Sequence, residues 1–189
     1  MGKARLEAFT DGVVAIIITI MVLEMKVPDG ADWPALRASL PVLLVYVLSY
    51  ANVGIFWANH HHLLHATDRV DGRVLWTNLF LLFWLSLVPF VIRWMDATGF
   101  AALPTAAYGL VLGLAAIGYT QLQCAIIAHD GQESRLAVAL GRDLKGKASL
   151  ALYAAAVALA FVRAWLAIAI YVAIALMWFV PDRRIESRV

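Results

Sequence analysis

Charged and hydroxyl side chains stand close together at the start of the first apolar stretch of the sequence. Arg5, Glu7, Thr10 and Asp11 precede a long aliphatic run. A carboxylate at the edge of a membrane is unfavourable unless a cation or a hydroxyl group satisfies it. These acids could merely cap a helix N-terminus, where negative charge is favourable. Alternatively, Arg5 and Asp11 belong to a polar network that locks this helix against its neighbours.

Four side chains further along the same stretch would lie on one face of a helix and form a stripe. Its members are separated by three or four residues, the spacing that places side chains on one side of a helix. They are Ile16, Thr19, Ile20 and Leu23. Packing or contact with lipid is the ordinary role of such a stripe. If several subunits brought this face to a common axis, it would instead form rings of methyl groups and one ring of hydroxyls, a pore without a charged filter.

Histidines form the other cluster of reactive side chains. Four of the five lie near the end of the second apolar stretch: His60, His61, His62 and His65. Histidines four residues apart can share a metal ion, but no cysteine or acidic ligand accompanies these at a recognised spacing. The single cysteine, Cys124, allows neither an intrachain disulfide nor a thiolate metal site. We therefore expect no metal site.

The elements that carry these residues must lie in lipid. Hydrophobic residues make up 63% of the 189-residue chain, charged residues only 15%, and the mean hydropathy is +0.80. A soluble domain could not cover so much apolar side chain with polar surface. The net charge of +2 is then interpreted as a sign of membrane topology, and no nucleic-acid partner is expected.

Six apolar stretches are candidates to cross about 30 Å of hydrocarbon at about 1.5 Å per residue. They lie at about 8–27, 36–59, 74–95, 103–127, 148–162 and 164–180. The last two are short and joined around Arg163, which indicates a helical hairpin. The predicted fold is an all-α integral membrane protein with six transmembrane helices, in a single domain that covers residues 1–189.

The predicted helices divide the basic residues unequally between the two sides of the membrane. One side would hold only Lys26, Arg37, Arg93 and Arg163. The other would hold Lys3, Arg5, Arg69, Arg73, Arg135, Arg142, Lys145, Lys147, Arg183, Arg184 and Arg188. Positive residues favour the cytoplasmic side. The sequence therefore predicts a multi-pass protein of the cell's inner (plasma) membrane with both termini in the cytoplasm.

The start of the first helix also carries a specific motif. Arg5, Phe9, Thr10 and Asp11 fit the pattern Arg-x-x-x-Phe-Ser/Thr-Asp, and Pro28 follows the aliphatic helix. This arrangement resembles the opening of the first helix in the transmembrane protein 175 family, whose animal members are lysosomal potassium channels. Thr10 keeps the hydroxyl of the usual serine. Further similar segments lie at 57–61, 78–79, 86–90 and 181–186.

The resemblance implies a potassium-permeable, potassium-preferring cation channel. Family members of this size resemble tetramers of six-helix subunits, with a central pore lined by helix 1. The resemblance places the narrow hydrophobic part of that pore on Ile16, Ile20 and Leu23, and a selectivity hydroxyl on Thr19. Glu24, one residue further, would lie near the outer mouth and attract cations.

The resemblance also extends the polar network at the start of helix 1. It implies that His60 or His61 is a partner of Arg5 and Asp11. The expected structural network then comprises Arg5, Phe9, Thr10, Asp11, His60 and His61. Titration of one of these histidines could tune gating.

Other classes of function make different demands on the sequence. A secondary ion or proton transporter would need charges or broken helices near the membrane midplane, and none is evident. A proton-permeable leak channel is a further alternative. An enzyme or haem-binding subunit would need ligands facing each other within the membrane, whereas the five histidines lie in or beside cytoplasmic connections. We therefore expect no enzymatic activity and no cofactor, with further copies of the chain, lipid and monovalent cations as partners and K⁺ as the permeant ion.

Overall fold

The computed structural model describes residues 2–67, 70–131, 134–140 and 143–179. Within these residues the regular structure is all α-helical and comprises eight helices. They are α1 (Lys3–Leu23), α2 (Trp33–His65), α3 (Gly72–Ser86), α4 (Val88–Ala97), α5 (Ala102–Asp130), α6 (Arg135–Leu140), α7 (Leu144–Ala160) and α8 (Ala164–Phe179). Arg69, Arg142, Arg183, Arg184 and Arg188, used in the topology prediction, lie outside the described residues, as does the similar segment 181–186.

Four described segments are long and apolar enough to cross a membrane. They are Lys3–Leu23, Trp33–His65, Gly72–Ala97 and Ala102–Asp130. The chain is therefore an integral membrane protein. Helices α7 and α8 coincide with the fifth and sixth predicted stretches, but they have only 17 and 16 residues.

The third predicted stretch is interrupted, contrary to the prediction of one helix over 74–95. Leu87 separates α3 from α4, and Pro89 lies in the first turn of α4. Proline has no backbone N–H, so it cannot donate the helical hydrogen bond to the carbonyl four residues earlier. The two helices still form one apolar segment, Gly72–Ala97. The short helix α6, in the fourth connection, was not predicted.

Helix α5 occupies the centre of the described part of the subunit and contacts α2, α3, α4, α7 and α8. Two glycines permit these close contacts. A Cβ atom at Gly118 would lie 3.0 Å from the Cα atom of Leu81 on α3, and one at Gly109 would overlap the Tyr171 hydroxyl oxygen. Small residues let membrane helices approach in this way. Tyr171 uses the space to donate a hydrogen bond to the carbonyl of Thr105, at 3.1 Å.

Side-chain caps stabilise the beginnings of several helices. Asp71 accepts a hydrogen bond from the backbone N–H of Val74 at 2.9 Å and so caps α3. This hydrogen bond, with the nearby His129 as a smaller contribution, lowers the pKa of the Asp71 carboxyl below its ordinary value. The Nδ1 atom of His129 lies 3.9 Å from the Asp71 carboxylate, so the cap also brings the start of α3 to the end of α5.

Helix α1 packs against α2, α3 and α4, and no other described helix makes a comparable contact with it. It begins at Lys3, and the N-cap residue, Gly2, has no side chain that could cap the helix. Thr10 and Asp11 therefore lie well inside the helix. The interpretation that Asp11 caps the N-terminus of this helix is wrong, because capping side chains act on the first turn only.

Candidate functional site

The two sides of α1 differ in their surroundings. One side packs against the rest of the subunit, and its buried side chains are Leu6, Thr10, Val14, Ile17 and Met21. The predicted stripe lies on the other side, where Ile16 is 60% exposed, Ile20 40% and Leu23 74%. The part of the subunit that the structure describes leaves these branched side chains uncovered, so this face is available for a pore, for lipid or for another subunit.

Thr19 is exposed on the same side as the three aliphatic residues of the stripe. Its hydroxyl donates a hydrogen bond to the carbonyl of Ala15, one turn earlier, at 2.8 Å. With the proton directed to its own helix, the hydroxyl oxygen keeps its lone pairs for another partner. A cation is one such partner, so the geometry suits coordination of an ion by Thr19.

A chain of hydrogen bonds attaches the opposite side of α1 to the subunit. The amide nitrogen Nδ2 of Asn78 donates to Thr10 Oγ1 at 3.0 Å, and Asn78 Oδ1 lies 2.7 Å from His60 Nε2. An amide oxygen only accepts hydrogen bonds, so His60 is the donor. All three side chains are buried. The chain links α1, α3 and α2 and satisfies polar groups that would be unfavourable if left unpaired in this setting.

A second link joins α1 to α2 at the next residue. Trp57 Nε1 donates to the carboxylate of Asp11 at 2.8 Å. The Trp57 ring stacks on His61, with centroids 6.1 Å apart and an angle of 26° between the planes. His61 in turn meets His65 edge to face at a centroid distance of 4.5 Å. In the part of the chain that the structure describes, no group of three metal-binding side chains lies together.

Arg5 and Phe9 differ from the other members of the predicted network. Both are exposed on the single subunit. The ion pairs among the described residues join Arg93 to Glu24 and His129 to Asp71, so Arg5 and Asp11 do not pair within one chain. Within one subunit the Asp11 carboxylate is bonded to Trp57, because the indole N–H is the donor that reaches it.

Two acidic side chains, one on α1 and one just after it, differ in whether their carboxylates have a partner. The Glu24 carboxylate forms a hydrogen bond and ion pair with the guanidinium group of Arg93 on α4. Glu24 is thus a link between two helices as well as a candidate to attract cations. For Glu7, the oxygen Oε1 is buried and finds no hydrogen-bond partner among the described residues.

Sequence reasoning missed three of the partners in these contacts. Asn78 and Trp57 lie in segments that carried the resemblance, but no hydrogen-bonding partner was predicted for either residue. Arg93 was used only to assign topology. A signal was present for Asn78, since an amide side chain in the middle of an apolar helix is expected to have a hydrogen-bonding role.

Comparison with known proteins places these features in one family. Residues 5–89 match the family described as endosomal/lysosomal potassium channel TMEM175. A potassium channel of Chryseobacterium sp. (strain P1-3) is 48% identical over 187 residues, which cover 99% of this chain and 97% of that protein. The human endosomal/lysosomal proton channel TMEM175 is 38% identical over 96 residues, covering 44% of this chain and 19% of the human protein.

A solved structure has the same overall fold. It is the crystal structure of a lysosomal potassium-selective channel TMEM175 homolog from Chamaesiphon minutus. Its TM-score to this chain is 0.80, with 28% sequence identity over 95% of this chain and 97% of that chain. The agreement therefore extends across nearly the whole molecule, including the second half, which the family match does not cover.

Proposed function

Because this chain belongs to the TMEM175 family of ion channels, we propose that it is the subunit of a potassium-permeable, potassium-preferring cation channel. The family is one of channels and not of enzymes. The observation that carries the proposal is the exposed stripe of α1. Aliphatic side chains and a single hydroxyl occupy the one face of this helix that the subunit leaves open.

The proposed channel is a tetramer of six-helix subunits in the plasma membrane, with both termini in the cytoplasm. Helices α7 and α8 would supply the fifth and sixth spans. At about 1.5 Å per residue each is about 25 Å long, so flanking residues or local thinning of the bilayer must cover the remaining distance. The packing of α7 against α5 and α8 supports this hairpin. One α1 helix cannot enclose a path, whereas four related by a closed axis can.

Ions would pass along the axis between the four copies of α1. Rings of Ile16, Ile20 and Leu23 would form a narrow apolar constriction, in which an ion must lose part of its hydration shell. Na⁺ holds water more tightly than K⁺, so this loss favours K⁺. The Thr19 hydroxyls would return part of the lost coordination, since each oxygen has lone pairs directed away from its own helix.

The buried side of α1 would hold this stripe in register. The bonds from Asn78 to Thr10 and from Trp57 to Asp11 fix the rotation of α1 relative to α2 and α3. Arg5 is exposed in one subunit, so in the proposed tetramer its guanidinium group could pair with an acidic group across a subunit boundary.

The outer mouth in this proposal carries a ring of Glu24 residues. Each is paired with an Arg93, which cancels part of the attraction that four free carboxylates would exert on cations. The remaining attraction should be weak and should fade as salt screens it.

Recording from the purified protein in planar bilayers, with K⁺ on one side and Na⁺ on the other, tests the proposal. We expect the reversal potential to follow the K⁺ gradient, and we expect Ile20→Ser to raise conductance and reduce the preference for K⁺. Val22 is exposed on α1 but lies off the stripe, so Val22→Ser is the matched control. Equal effects of the two substitutions would contradict the assignment of this face to the pore.

Proton conduction is the second candidate, because the human relative is named a proton channel. The same bilayer experiment distinguishes the two when a pH gradient replaces the K⁺ gradient. A current that reverses at the proton equilibrium potential, and that does not depend on K⁺, would favour a proton-selective channel. Flux that requires a coupled gradient would instead indicate a transporter.

A further inference from the structure

A groove on the surface of the subunit lies between α2 and α8. Its volume is about 530 Å³, and it is open along one side. Leu40, Leu44, Val172, Leu176 and Phe179 are among the residues that line it. Among the described residues that line it, Arg37 is the only charged one and the others are apolar. The described lining therefore combines one cation with apolar walls.

The cation and an interfacial aromatic residue are found at the same end of this groove. Arg37 lies in the second turn of α2, and Trp165 is the second residue of α8. Trp165 packs against Phe100 with ring centroids 5.2 Å apart, which fixes the position of the indole. Tryptophan is typical of the level of lipid headgroups. This end of the groove therefore lies at the headgroup level, and the remainder extends into the hydrocarbon.

The length of the groove matches one leaflet of a bilayer. Along α2 it extends from Arg37 to Ala51, about 20 Å at about 1.5 Å per residue. Half of the hydrocarbon core is about 15 Å thick. An acyl chain that begins at the level of Arg37 would therefore remain in contact with the groove over its whole length.

We propose that this groove is a binding site for an anionic phospholipid, with the phosphate on Arg37 and an acyl chain along Leu44, Val172 and Leu176. A guanidinium group donates two parallel hydrogen bonds to a phosphate, a geometry that other cationic side chains do not reproduce. Arg37 is exposed and takes part in neither of the ion pairs among the described residues. Charge and shape thus match one amphiphilic molecule, and the site is separate from the exposed face of α1.

Native mass spectrometry of the purified protein tests this site without any measurement of current. Phosphatidylglycerol or phosphatidylcholine is added to the protein in detergent, and the bound lipid is counted after gentle activation. We expect phosphatidylglycerol to be retained by the wild type, and retention to fall about tenfold in Arg37→Gln, the loss typical of one charged hydrogen-bonded contact. Lys26→Gln, which removes another exposed cation from the same predicted side, should retain the lipid as the wild type does.

Three further variants make the experiment decisive. Arg37→Lys keeps the charge without the paired donors and should recover only part of the retention. Val172→Trp keeps Arg37 but fills the groove, so it should also reduce retention. An excess of inorganic phosphate should not displace the lipid, because free phosphate does not occupy the apolar groove.

Two results would overturn the proposal. The first is unchanged phosphatidylglycerol retention in both Arg37→Gln and Val172→Trp when gel filtration shows normal assembly. The second is efficient disulfide formation between two copies of Leu44→Cys in a Cys124→Ser background, since the groove would then be covered by another subunit.

Equal retention of phosphatidylcholine in the wild type and Arg37→Gln is expected, because its headgroup ammonium opposes binding near the guanidinium.

Discussion

Helices α1 and α5 are both long and apolar, but the subunit surrounds them to different extents. Half of the most apolar window of α5 is buried, compared with 28% of that of α1. Five other described helices contact α5, and its polar contacts are internal, such as the bond from Tyr171 to the carbonyl of Thr105. Helix α1 is attached along one side by Thr10 and Asp11 and presents the other side outwards. We therefore expect substitutions in the contacts of α5 to change stability, and substitutions on the exposed face of α1 to change conduction.

The largest effect on stability is expected inside the α5 contacts. Gly109→Val would drive a side chain into Tyr171, whose hydroxyl already occupies the space. Overpacking of this kind costs about 3 kcal/mol. A large drop in the thermal unfolding temperature in detergent is the expected result. Gly54→Ala is the control, since a Cβ there would meet no atom within 4 Å. Equal stability of the two variants would show that the contact between Gly109 and Tyr171 is not tightly packed.

Removal of the hydroxyl of Thr10 should have the next largest effect. Thr10→Val leaves the amide of Asn78 without its acceptor in a buried site, which costs about 2 kcal/mol. Thr10→Ser keeps the hydroxyl and should remain close to wild type. The yield of assembled protein on gel filtration and its unfolding temperature measure the difference. If Val and Ser behaved alike, the attached side of α1 would not depend on this hydrogen bond.

A smaller effect, which varies with pH, is expected at the cap of α3. The pKa of Asp71 is lowered in the folded protein, so its charge stabilises the fold above the unfolded-state pKa. This contribution is lost as the pH falls through the folded-state value. The difference in unfolding temperature between wild type and Asp71→Ala should therefore shrink in acid. Asp71→Asn keeps a capping oxygen without the titration and should show no such trend.

The smallest effect on stability is expected on the free side of α1. Thr19→Val preserves shape and removes only an exposed hydroxyl that is bonded to its own helix, so stability should change by less than about 0.5 kcal/mol. Selectivity should nevertheless decline, with the reversal potential under K⁺ and Na⁺ moving towards zero. Loss of assembly without a change in selectivity would reverse the roles assigned to the two sides of α1.

The sequence predicts the apolar helices well, because lipid imposes a minimum length on any spanning segment. Pro89 is visible in the sequence, but the end of α3 at Ser86, shortly before this proline, was not predicted. The pairing of side chains is less predictable. Asn78 meets Thr10 across 68 residues and Arg93 meets Glu24 across 69, and nothing in the local pattern of either residue specifies its partner. Arg5 and Asp11 show the converse, since two charges close in sequence do not pair within the chain.

The contacts at Thr10 and Asp11 and the ion pair at Glu24 have a mechanical consequence for α1. They lie about 20 Å apart along the helix, so polar contacts hold α1 at two levels, one well inside the helix and one at its C-terminal end. Among the described residues, the side chains of α1 that are buried between these two levels are apolar, and apolar packing has no preferred direction. Movement of α1 along its axis must therefore break polar contacts at both levels together, so the resistance to axial displacement is concentrated in these few side chains.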